Sequence, residues 1–211
     1  KVCGMTLREQ VEQLPALGVQ YAGFIFFPGS ARYVGSRMSH AEIRMIEAVS
    51  KVGVFVNAPE KEVLQTAEQC RLQLVQLHGE ESPEYCSRVS NHVPVMKAFR
   101  VGEEDGLESE LSAYRDCCSF FLFDTRAAAY GGTGKKFDWN ILIRAGIDMP
   151  YFLSGGIGPE DAEAVRRFWR SSEAHAMKGV DVNSRFESQP GQKNLQALKN
   201  FILNLNNPLT E

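Results

Sequence analysis

The stretch Tyr151–Phe168, "YFLSGGIGPEDAEAVRRF", reads as one complete structural unit. "YFL" is short, apolar and aromatic, as a buried strand is, and "SGG" ends it. Pro159 then opens a helix, tolerated there because a first-turn N–H has no helical partner to lose. "AEAVRRF" continues with apolar residues at helical spacing. A strand that runs through a glycine turn into a helix reaches its next strand by a crossover, so a chain of such units builds a parallel sheet covered by helices.

The unit recurs along the chain. Strand-like runs start at Tyr21 ("YAGFIFF"), Val52 ("VGVFVN"), Leu74 ("LVQLHG"), Val93 ("VPVMKAF"), Phe120 ("FFLFDT") and Met177 ("MKGVDV"), and "KVC" at Lys1 completes eight with "YFLSGG". Helix starts lie between them: Thr6 with Glu9 and Ser39 with Glu42 as capping boxes, and Pro83 in the first turn of "SPEY". No Gly/Ser-rich linker interrupts the series. The expected fold is α/β, a (β/α)8 TIM barrel forming a single domain over residues 1–211. A doubly wound open sheet competes, but it uses about five or six strands and a Gly-rich fingerprint after the first, which "CGMT" does not supply.

Composition narrows the function classes. The 211 residues suffice for one substantial core, and the net charge of -3, with lysines and arginines scattered, leaves no footprint for nucleic acid. No stretch approaches the roughly 20 apolar residues of a membrane span, and no charged-then-apolar leader precedes the first strand. A cytoplasmic protein without nucleic-acid or membrane partners is expected. Lys1 falls inside a strand, so one or two residues are expected upstream. The five cysteines, Cys3, Cys70, Cys86, Cys117 and Cys118, lack zinc-site spacing, the adjacent pair suits a disulfide poorly, and the four histidines form no ligand-spaced cluster. Reduced thiols and no metal are expected.

A barrel of this kind carries its chemistry on the C-terminal ends of its strands. That places Cys3, Asn57, His78, Arg100, Asp124, Ser154 and Asp181 on one face. For Cys3 two readings stand: a small hydrophobe, the commoner fate of a lone cysteine, or a thiol exposed to chemistry at the strand mouth. The loops after the last two strands, "LSGGIGPED" and "GVDVNSRFE", offer backbone N–H groups beside helix starts, where many barrels hold phosphate. A phosphorylated small-molecule substrate follows from the pair, against the plainer reading of Gly155 and Gly156 as a tight turn. Asp124 ends an apolar run, where a carboxyl either caps a turn or serves as an acid. "YGGTGKKFDW" lacks the P-loop pattern and reads as a lid, with Asp138 capping the next helix. Arg32, in "PGSARYV", can clamp a carboxylate in a bidentate fork or lie solvated on the surface. His78 either lines the pocket or packs.

Taken together, "KVCGMT", "AGFIFFPGSARYV", "VGVFVN", "VQLHGEE", "FDT" with "GGTGKKFDW", "LSGGI" and "GVDVNSRFES" resemble the phosphoribosylanthranilate isomerase family, from the first strand to the last. The pattern departs at Ala31, where proline is common, and at Arg185, where a small residue is common. The resemblance implies a barrel that converts N-(5-phosphoribosyl)anthranilate to 1-(2-carboxyphenylamino)-1-deoxyribulose 5-phosphate, an Amadori rearrangement in tryptophan biosynthesis. It implies Asp124 as general acid and Cys3 as general base, its thiol pKa lowered by the following helix N-terminus. Arg32 would hold the substrate carboxylate, and Gly155, Gly156, Asn183 and Ser184 the phosphate. No cofactor is called for. A monomer is expected over a homodimer.

Three rivals remain. An indole-glycerol-phosphate synthase needs a lysine and a glutamate at strand ends; Lys97 is present, but no acidic partner is evident. A dual histidine and tryptophan pathway isomerase would use an aspartate where Cys3 stands. A barrel that only senses a phosphorylated metabolite would keep the phosphate loops and lose the acid or the base.

Overall fold

The computed structural model describes residues 1–102, 106–125 and 137–207. Seven parallel strands run in chain order around one sheet: β1 (Tyr21–Ile25), β2 (Ser50–Phe55), β3 (Leu74–Leu77), β4 (Val95–Val101), β5 (Phe120–Thr125), β6 (Tyr151–Leu153) and β7 (Met177–Val180). The expected eighth strand is reduced to a single bridging residue. Val2 bridges Ala22 of β1 on one side and Val182, just past β7, on the other, both in parallel. Val2 N–H donates to Tyr21 O at 2.9 Å and Cys3 N–H to Val182 O at 2.9 Å, so "KVC" closes the sheet on itself. A closed sheet leaves no edge strand.

The helices are α1 (Arg8–Val11), α2 (His40–Arg44), α3 (Glu60–Cys70), α4 (Pro83–Ser90), α5 (Leu107–Ser112), α6 (Asn140–Arg144), α7 (Ala162–Trp169) and α8 (Leu195–Asn206). Two starts follow their sequence signals. Ser39 and Glu42 form a reciprocal capping box on α2, and the Ser82 hydroxyl accepts the Tyr85 N–H ahead of Pro83. The Thr6–Glu9 box does not form. The Thr6 hydroxyl instead donates to Gly191 O at 2.7 Å, and α1 starts from Leu7 without a side-chain cap. Gly191 turns an antiparallel hairpin of β8 (Glu187–Gln189) and β9 (Gln192–Lys193). Gln10 ties that hairpin to α1 by donating to Lys193 O and accepting Lys193 N–H, both at 2.8 Å. The two ends of the chain are thereby joined.

Strand alternation sorts the core. One set of side chains packs between sheet and helices, while Val52, Leu74, Met96, Ala98, Leu122 and Phe152 fill the barrel interior. Continuing each interior series by two residues toward the strand's C-terminal end places polar groups at the barrel mouth: His78 follows Leu74 and Gln76, Arg100 follows Ala98, Asp124 follows Leu122, and Ser154 follows Phe152. Arg100 and Asp124 are register partners on β4 and β5.

Candidate active site

Cys3 is buried at the mouth beside Ile25 and Val54. Burial is the largest influence on its thiol and raises its pKa, while the nearby Lys1 ammonium works in the opposite direction. The expected lowering by a helix N-terminus does not occur, because α1 begins only at Arg8. Lys1 Nζ instead donates to Asp181 Oδ2 at 2.8 Å, and both side chains are buried. Burial opposes the Lys1 charge, but Asp181 and Cys3 outweigh it and raise its pKa. Asp181 Oδ1 is buried with no hydrogen-bond partner among the described residues.

Gly4 follows the thiol with φ +69°, and a Cβ there would stand 2.6 Å from Asn183 Oδ1 and 2.8 Å from Arg32 Cδ. The segment that carries Cys3, the loop after β1 and the loop after β7 therefore meet at one point. Arg32 donates from Nε to Glu187 Oε1 and Oε2 at 3.0 and 2.9 Å, and from Nη2 to Oε2 at 2.7 Å. Glu187 also accepts from Lys193 Nζ at 2.7 Å and Gly191 N–H at 3.1 Å. Burial would raise its carboxyl, yet Arg32 and Lys193 hold it below the ordinary glutamate value. Arg32 is thus anchored by its Nε–Nη2 edge, leaving the end-on Nη1–Nη2 edge geometrically separate from the pair.

On the opposite wall, Asp124 Oδ2 lies 3.3 Å from His78 Nε2, and Asp124 Oδ1 accepts Thr125 N–H at 2.8 Å. Gln76 Nε2 lies 2.7 Å from His78 Nδ1. With the amide in this orientation Gln76 donates to Nδ1, which leaves Nε2 to carry the proton toward Asp124. Gly155, with φ +92°, fits tightly against this wall: a Cβ there would stand 2.6 Å from Thr125 N and 3.1 Å from Asp124 Oδ1. Gly156 also has positive φ, at +65°. Asn183 and the short 3-10 turn Ser184–Phe186 follow β7. Arg185 donates to Glu160 Oε1 at 2.6 Å and so links the loops after β6 and β7.

In order around the barrel, Asp124 on β5 is followed by the β6 loop, the β7 loop and then Cys3, with Arg32 beyond β1. The sequence-selected residues therefore converge on one mouth. The lid read in "YGGTGKKFDW" lies outside the described residues as far as Lys136. Asp138 Oδ1 accepts Asn140 N–H at 3.0 Å, but the residue at the N-cap of α6 is Trp139, which supplies no side-chain cap. Lys97 does have an acidic partner: its Nζ lies 3.1 Å from Glu81 Oε2 and donates to Gly79 O at 2.7 Å. Both side chains are buried, and Glu81 Oε1 accepts Asn57 N–H at 2.8 Å, so this pair braces the loops after β2 and β3. Sequence reading missed Lys1, Glu187, Lys193 and Glu81 as supports; Glu187 stands inside the quoted "NSRFES", which was its only signal.

Comparison with known proteins gives a consistent picture. The family model described as N-(5'phosphoribosyl)anthranilate (PRA) isomerase matches residues 1–204. The chain is 40% identical to an N-(5'-phosphoribosyl)anthranilate isomerase of Parabacteroides distasonis, with 100% of this chain and 95% of that protein covered. The crystal structure of phosphoribosyl anthranilate isomerase from Thermotoga maritima superposes with a TM-score of 0.82 at 34% identity, covering 97% of this chain and 96% of that one. A further phosphoribosyl anthranilate isomerase structure, a complex with reduced 1-(o-carboxyphenylamino)-1-deoxyribulose 5-phosphate, superposes with a TM-score of 0.79 at 32% identity and coverages of 97% and 96%.

Proposed function

The chain belongs to the N-(5'-phosphoribosyl)anthranilate isomerase family, enzymes of tryptophan biosynthesis that rearrange a phosphoribosyl sugar, and from that premise we propose that Cys3 is its general base and Asp124 its general acid. Asp124 protonates the furanose ring oxygen, the ring opens, and the anthranilate nitrogen becomes a protonated Schiff base. The Cys3 thiolate removes the C2 proton, acidified by that iminium, and the resulting enolamine takes a proton at C1 while its C2 hydroxyl gives one up to become the ketone. Proton gain and loss balance, and the substrate supplies its own electron sink.

The observation that carries this reading is the order around the mouth. Two loops bordered by backbone N–H groups lie between the acid on β5 and the base on the closing segment. A phosphate held by Gly155, Gly156, Asn183 and Ser184 leaves the sugar spanning the distance between Asp124 and Cys3. Arg32 receives the anthranilate carboxylate on its end-on edge while Glu187 fixes the other. His78 acts as a positioning residue, aiming the Asp124 carboxyl. A monomeric, cytoplasmic enzyme completes the proposal; among the described residues no helix is long and apolar enough to cross a membrane. The test is loss of fluorescence of freshly made phosphoribosylanthranilate on adding the protein without metal or nucleotide. No loss above the uncatalysed decay would refute the proposal.

A further inference from the structure

Cys86 on α4 and the neighbours Cys117 and Cys118 ahead of β5 lie far apart in sequence and without zinc-site spacing, yet their three Sγ atoms all lie within 4.8 Å of one another. All three are free thiols, and none belongs to the site at the mouth. Cys118 lies six residues before Asp124 on the way into β5, about 20 Å of extended chain from it. Consecutive side chains on a strand point to opposite faces; here the chain leaves a 3-10 turn at Cys117 and becomes extended at Cys118, with φ -129° and ψ 144°, and both thiols reach the same side. Their sulfurs are 3.9 Å apart.

We propose that Cys86, Cys117 and Cys118 form a three-thiolate site for a thiophilic d10 cation such as zinc(II) or copper(I). The centre of a sulfur triangle with 3.9 Å sides lies about 2.3 Å from each corner, which is the length of a zinc–thiolate bond. Drawing the wider sides in by at most about 0.9 Å completes that triangle from the observed 4.8 Å limit. Soft sulfur ligands without oxygen or nitrogen donors select such cations over magnesium or calcium. Cys86 and Cys117 are buried, whereas Cys118 is partly exposed, so the ion enters past Cys118. Lys97 and Glu81 face Cys86 with opposite charges, so the pair adds little net charge to the site. On binding, each thiol gives its proton to solvent and the three sulfurs coordinate one ion, stapling α4 to the entry of β5.

Cadmium(II) serves as the probe, added to the full chain reduced with a phosphine rather than a thiol. The expected result is an ultraviolet thiolate-to-cadmium charge-transfer band that saturates at one equivalent, together with a rise in Tm. Cys118→Ser, which changes the least buried member, should lose both while keeping the wild-type circular dichroism spectrum. Cys70→Ala should keep both. Equimolar copper(I) should displace the cadmium, and zinc(II) should compete with it in large excess. Absence of a stoichiometric band in the folded wild type, its persistence in folded Cys118→Ser, or failure of both ions to compete would overturn the proposal.

Discussion

The two walls of the barrel mouth are built in opposite ways. The Cys3 wall is buried and assembled from the ends of the chain, with Lys1 paired to Asp181 and Arg32 and Lys193 both paired to Glu187. The Asp124 wall is more open, its Asp124 and His78 side chains 30% and 21% exposed, and its contacts come from neighbouring strands. A thiol taken out of water resists ionising, and the ammonium beside it opposes that resistance; a carboxyl at the solvent edge stays in contact with water. The proposed base and the proposed acid are thus supported by different physics, and substitutions on the two walls should fail differently.

A loss as large as any is expected on the open wall. Asp124→Asn should fold normally and lose about 10²–10⁴-fold in turnover, the usual size of a general acid's contribution. Steady-state kinetics beside a melting curve check this, and a normal kcat would remove Asp124 from the mechanism. On the buried wall, Lys1→Met should damage stability as well as rate. It leaves Asp181 buried without its cation, a loss of about 3–5 kcal/mol that a denaturant titration would reveal. It also removes the larger of the two lysine charges that oppose burial at Cys3.

The pH dependence of the wild type follows from the same thiol. Its pKa is raised above the ordinary 9.0, so kcat/KM should climb with pH into the alkaline range, and Lys1→Met should move that limb further up. Because the folded thiol holds its proton more tightly than the unfolded one, the linked stability is fully present below about 9 and falls as pH rises through the folded value. A rate limb at the position of an ordinary cysteine would contradict this reading of the buried wall.

Arg32→Lys keeps the charge and loses the planar fork, so about 1–3 kcal/mol of substrate binding or transition-state stabilisation should disappear. Unchanged KM and kcat would leave Arg32 as a partner of Glu187 alone. The smallest effect belongs to Arg185→Ala, which breaks the exposed pair with Glu160 between the loops after β6 and β7. Its cost in stability should be no more than about 1 kcal/mol by thermal denaturation.

Much of this contrast was legible in sequence, and unevenly. The seven strands of the sheet and the inward residues at their ends follow from local runs such as "FFLFDT", because a strand's period and its C-terminal residue are local properties. Asp124 and Ser39 could be placed this way. The supports of the buried wall could not. Lys1 meets Asp181 and Thr6 meets Gly191 only because the barrel closes, and a closure contact spanning nearly the whole chain leaves no spacing signal. The same holds in miniature for Lys97 and Glu81 and for Cys86 with Cys117 and Cys118, where adjacent strands and their helices bring together residues whose separations carry no motif. The failed Thr6 cap shows tertiary structure overriding a local preference: its hydroxyl found a carbonyl in the closing hairpin.

The central claim is that the buried thiol takes a proton from carbon, and one measurement tests it most directly: the turnover of Cys3→Ala on substrate carrying hydrogen or deuterium at ribose C2, with circular dichroism confirming the fold. The account predicts a primary isotope effect in the wild type and a loss of about 10²–10⁴-fold in the variant. A folded Cys3→Ala that turns over within a few-fold of wild type would contradict it, leaving Cys3 as a small hydrophobic residue closing the barrel.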